Sequence, residues 1–88
     1  MENPRLFPDE IAEELRSRVR TGSVIRVERV DTVTDFTPGR IAYSLYASDV
    51  RYKDARSGVI LSAQSLIDLI YDTLEAGGHA YIDGVELT

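Results

Sequence analysis

At 88 residues, with 43% hydrophobic side chains, 28% charged and a net charge of −5, the chain has the composition of one ordinary globular domain, not of a disordered or membrane-spanning chain. The absence of cysteine excludes a disulfide framework, a thiolate zinc site and a cysteine nucleophile. No apolar run approaches the roughly 20 residues of a bilayer span, and the opening M-E-N-P-R-L-F-P has no hydrophobic signal segment, so a single cytoplasmic domain over residues 1–88 is expected.

The first element is a helix from Pro8 to about Arg20. Proline suits the first helical position, and Asp9 and Glu10 suit the positive end of the helix. Ile11, Leu15 and Val19 make its apolar stripe, with Ala12 beside it and Phe7 packing below, and Gly22 stops it. The stripe is narrow, which predicts a peripheral helix. Ser23 to Thr34 is rich in β-branched residues and reads as a strand whose phase slips near Glu28 and Arg29, as a bulge would make it. Thr37-Pro38-Gly39 then reads as a turn.

From Gly39 to Lys53, apolar Ile41, Tyr43, Leu45 and Ala47 alternate with Arg40, Ala42, Ser44 and Tyr46, which predicts a second strand with the first set facing the helices. Asp54 to Gly58 is a polar connection into a short strand, Val59 to Leu61. The central helix follows, within Ser62 to Gly78. Ala63, Leu66, Ile67, Ile70 and Leu74 share one face, Ser62 or Ser65 can cap the first turn, and Gly77 can close the last. His79 to Ile82 is a further strand, and Asp83-Gly84 is a tight-turn signal before Val85, Glu86 and Leu87. The order α-β-β-β-α-β, with room for a short terminal strand, predicts a two-layer α+β domain. Its mostly antiparallel sheet of 4–5 strands should pack against two helices, with Leu66, Ile70 and Leu74 buried on Ile41, Tyr43 and Leu45.

Charge is distributed unevenly. Residues 1–30 carry six acids against six arginines, and residues 31–56 carry four acids against four basic residues. Asp68, Asp72, Glu75, Asp83 and Glu86 follow with no Lys or Arg among them, so the last third supplies the whole net charge. That pattern disfavours direct binding of nucleic acid, which needs clustered cations. Instead these five acids form a candidate acidic face for a protein partner whose own basic surface binds nucleic acid. Small acidic α+β domains occur among phage and mobile-element inhibitors of nucleic-acid-handling machines, a prior drawn from size and charge alone.

A second candidate surface is aromatic. Tyr46 and Tyr52, beside Arg40 and Arg51, fall on the face of their strand away from the helices, where a second copy of the chain would cover them in a homodimer. Catalysis is the weakest class. His79 is the only histidine, no serine lies in a G-x-S-x-G turn, and Asp68 with Asp72 would need a third oxygen to hold a cation. No catalytic residue, metal or cofactor is therefore assigned, and the small metal-dependent enzyme stays as a second alternative. The sequence predicts a binding module.

Overall fold

In a computed structural model that describes residues 6–39 and 50–87, the chain forms α1 (Pro8–Arg18), β1 (Ile25–Glu28), β2 (Val33–Pro38), β3 (Arg51–Asp54), β4 (Ile60–Ser62), α2 (Ala63–Glu75), β5 (His79–Ile82) and β6 (Val85–Glu86). The described strands make one antiparallel sheet in the order β4-β3-β2-β1-β5-β6. Four strands in sequence run out to β4, and α2 carries the chain back across the sheet to lay β5 beside β1. Both helices cover one face of the sheet, α2 against the strands and α1 against α2. This is the expected two-layer α+β architecture.

Strand alternation decides which side chains enter the core. The register pairs Ile25 with Phe36 and Ile82, and Val27 with Thr34 and Ala80. Ile25, Val27, Phe36, Ala80 and Ile82 accordingly share a single buried cluster with Ile11 and Leu15 of α1 and with Ala63, Leu66, Ile67 and Ile70 of α2. The helix termini are built as their residues suggest. Ser62 accepts a hydrogen bond from Ser65 N at the start of α2, and at its end Gly77 N donates to Leu74 O and Gly78 N to Thr73 O, with Gly77 at φ +86°. Glycine is needed there because the left-handed conformation is costly for other residues. Gly78 answers a different demand, since a Cβ on it would lie 2.5 Å from the carbonyl oxygen of Glu28. The end of α2 therefore rests directly on the end of β1.

Several expectations need correction. Ser23 to Thr34 is no bulged strand: it folds back at Arg29–Thr32, where Arg29 N donates to Thr32 O at 2.8 Å, to give the β1–β2 hairpin. The extra strand comes from that fold. Thr37 and Pro38 lie inside β2, paired with Lys53 and Tyr52, and do not form a turn. Phe7 is 60% exposed, and Leu6 takes the place beside the core. In α2 the buried side chain of the last turn is Thr73, whose hydroxyl donates to Leu69 O, whereas Leu74 is only partly buried. The expected core partners Ile41, Tyr43 and Leu45 lie outside the described residues.

Candidate functional site

The face of α2 turned away from the sheet carries the three helical acids. Asp68, Asp72 and Glu75 are all exposed, because they stand opposite the positions that insert into the core. A rise of about 1.5 Å per residue puts them about 6 and 4.5 Å apart along the axis. Gln64 donates to Asp68 at 3.0 Å and Tyr71 donates to Glu75 at 3.4 Å, so neutral neighbours hold two of the three. The arginines of the adjacent helix are engaged within α1 itself, Arg16 with Glu13 at 2.7 Å and Arg18 with Glu14 at 2.8 Å. Among the described residues, no cation pairs with Asp68 or Asp72.

Asp83 and Glu86 do not extend this row. Asp83 occupies the β5–β6 turn at φ 50°, followed by Gly84 at φ 82°. Its carboxylate accepts from Ser23 Oγ at 2.8 Å and from Val24 N at 3.0 Å, and Ser23 Oγ in turn accepts from Arg20 N. The side chain thus fastens the turn to the start of β1 and the end of α1. Glu86 pairs across the ladder with Tyr81 and points to the face of the sheet that the helices leave open. There Nδ1 of His79 donates to Glu86 Oε2 at 2.6 Å. His79 is therefore on the layer opposite Asp68 and Asp72, and the three do not come together. Among the described residues, no group of three or more acidic or histidine side chains is placed to hold a metal ion.

The aromatic surface is corrected most sharply. Tyr52 is 1% exposed and lies in the core, facing the helices, because its register partners Pro38 and Leu61 point inward. Burial raises the pKa of its phenol. Tyr46 and Arg40 lie outside the described residues. Arg51, one position from Tyr52, is exposed on the open face of the sheet, as is Lys53.

That open face has features of its own. Arg26 and Asp35 form a two-point ion pair across β1 and β2 at 2.8 and 3.3 Å. The hydrogen bond to Asp35 raises the Arg26 pKa, and the same bond lowers that of Asp35. Beside it, Val24, Arg26, Glu28, Tyr81 and Asp83 line a shallow groove of about 550 Å³. Partial burial raises the Tyr81 pKa, with the Glu28 charge and hydrogen bond adding to it. No signal in the one-dimensional pattern marks this groove, since it depends on setting β5 next to β1. Compared with known proteins, the chain matches no family model, no curated protein and no solved structure. Its function is therefore argued from its own residues, and no described helix is long and apolar enough to cross a membrane.

Proposed function

We propose that the chain is a protein-binding module that presents the exposed face of α2 to the basic, nucleic-acid-binding surface of a partner protein, and that it acts by occupying that surface without chemistry or a cofactor. The observation that carries the reading is the row Asp68, Asp72 and Glu75 on a helix with no basic residue, where Asp68 and Asp72 have no cationic partner among the described residues. A surface kept polar only for solubility usually mixes both signs, whereas the charged side chains that α2 itself carries are all acidic. Phosphate-binding grooves attract spaced negative charge, and three carboxylates within two helical turns are such an array. The contact surface is this row alone, with Asp83 and Glu86 serving structure and the opposite layer.

The test replaces Asp68 and Asp72 together by lysine, with circular dichroism to confirm the fold. Wild-type and variant proteins are immobilised and exposed to the same nuclease-treated cell lysate at low salt, and the retained proteins are quantified by mass spectrometry. The expected result is a set of basic nucleic-acid-binding proteins held by wild type, released as ionic strength rises, and lost from the variant. Equal retention by both baits would overturn the reading.

A further inference from the structure

The groove on the open face of the sheet has a charge pattern that neither the row on α2 nor the core explains. Val24, Arg26 and Glu28 line one side of it, along β1 and the residue that leads into β1, and Tyr81, Asp83 and Gly84 line the other, along β5 and the β5–β6 turn. The charges of this lining do not balance. Arg26 is held by Asp35 in its two-point pair. Glu28 and Asp83, by contrast, have no cationic partner at ion-pair distance among the described residues. Their bonds are to neutral donors, Glu28 to the Tyr81 hydroxyl and Asp83 to Ser23 Oγ and Val24 N. The negative excess is felt at Tyr81 itself, whose phenol pKa is raised first by burial and then by the charges of Glu28 and Glu86.

The groove holds about 550 Å³ but is shallow, and a small ligand is ordinarily enclosed over most of its surface. A chain segment laid along the strands fits better. Asp83 N donates to Val24 O, which sets Asp83 beside Val24, and from Val24 to Glu28 a strand rises about 13 Å. The two carboxylates therefore stand at opposite ends of the groove. In an extended peptide every second side chain faces the same way, so residues four apart are also separated by about 13 Å, with one between them on the same side. We propose that the groove binds an extended segment of a partner protein in which two basic residues four positions apart flank a central apolar residue. One basic side chain meets Glu28 and the other Asp83, while the apolar residue rests on Tyr81. A third cation at the centre is disfavoured by the Arg26 guanidinium. Arg51 and Lys53, two strand spacings from β1 or about 10 Å, hold a basic segment to the β1–β5 side. The groove lies on the layer opposite α2 and uses no residue of the acidic row, so the failure of one reading leaves the other standing.

The probe is the synthetic peptide acetyl-GKSLSKG-amide, titrated to about 5 mM into isotope-labelled protein at low salt and followed by amide NMR shifts. Saturable shifts are expected at Val24 to Glu28 and Tyr81 to Gly84, and they should weaken as NaCl rises. The isomer acetyl-GSKLKSG-amide, whose lysines are too close to reach both carboxylates, should bind at least about threefold more weakly, the size of one exposed ion pair. Acetyl-GESLSEG-amide should leave the groove unshifted. Glu28→Gln, which keeps an acceptor for the Tyr81 hydroxyl and removes only the charge, should weaken binding of the first peptide by about threefold. Absence of groove shifts with the first peptide, shifts centred on α2 instead, equal binding of the two lysine isomers, or indifference to Glu28→Gln would each overturn the proposal.

Discussion

Asp83 and Asp68 carry the same charge and do different work. Both oxygens of Asp83 are committed, to Ser23 Oγ and to Val24 N, whereas among the described residues Asp68 meets only Gln64 one turn away. Removing the Asp83 carboxylate leaves the buried Ser23 hydroxyl and a backbone N–H without their acceptor, a loss of about 1–3 kcal/mol. Asp83→Ala is thus expected to lower stability by about that much in urea unfolding, and Asp83→Asn by less, since asparagine tolerates the positive φ and keeps one acceptor oxygen. Asp68→Ala and Asp72→Ala should stay within about 0.5 kcal/mol of wild type. The Asp83-Gly84 dipeptide announces a tight turn from sequence alone, because few residues accept two successive positive φ values. What it cannot announce is a side-chain partner sixty positions earlier. Tyr52 is a similar case: the alternation from Gly39 to Lys53 assigned it to the open face, and the register with Pro38 and Leu61 places it inside.

At the scale of elements, α2 is where sequence and structure agree most closely. Its apolar period, serine cap and Gly77 stop each have a local cause, so its position could be read without knowing the sheet. Ile70, fully buried in the core cluster, should cost about 2–5 kcal/mol on replacement by alanine. Leu74→Ala should cost clearly less, because Leu74 is only partly covered and Thr73 takes the inward position. Thermal melts of the two variants check the ranking, and equal losses would mean that the helix is rotated about its axis. The β1–β2 hairpin was illegible for the opposite reason. Its loop, Arg29–Thr32, contains neither glycine nor proline, while Pro38 and Gly39, which do signal a turn, lie within β2 and at its end. Proline fits there because its missing N–H costs a ladder bond only if the register demands a donor at that position.

For the whole molecule, ionisation and topology set limits that no single element does. Asp35 is held below the ordinary carboxylate range by the Arg26 hydrogen bond, and Asp54 by the N–H groups of Arg56 and Ser57. A lowered folded-state pKa gives stability that is present above the ordinary value of 3.8 and lost as pH falls through the lowered one. Tyr52 and Tyr81 are raised above 10.0, chiefly by burial, so their contribution is complete below pH 10 and disappears as pH rises through the raised values. Urea midpoints should be level between these limits and fall on both sides, and Asp54→Asn should flatten the acid limb; an acid limb unchanged by that substitution would count against the Asp54 contribution. Fold class was legible because composition and element order suffice for it, whereas the division of acids between two layers was not, since it follows from placing β5 beside β1. That placement also governs the order of events during synthesis. Ile25 is paired with Ile82, well over half the chain later, so a ribosome releases the whole β1–β4 meander and α2 before the strand that completes the middle of the sheet emerges. Until then β1 is an open edge bearing Ile25 and Val27, a template for pairing with other nascent chains. A chain stopped before His79 should therefore be a client of chaperones and a seed for aggregation, whatever the final domain binds.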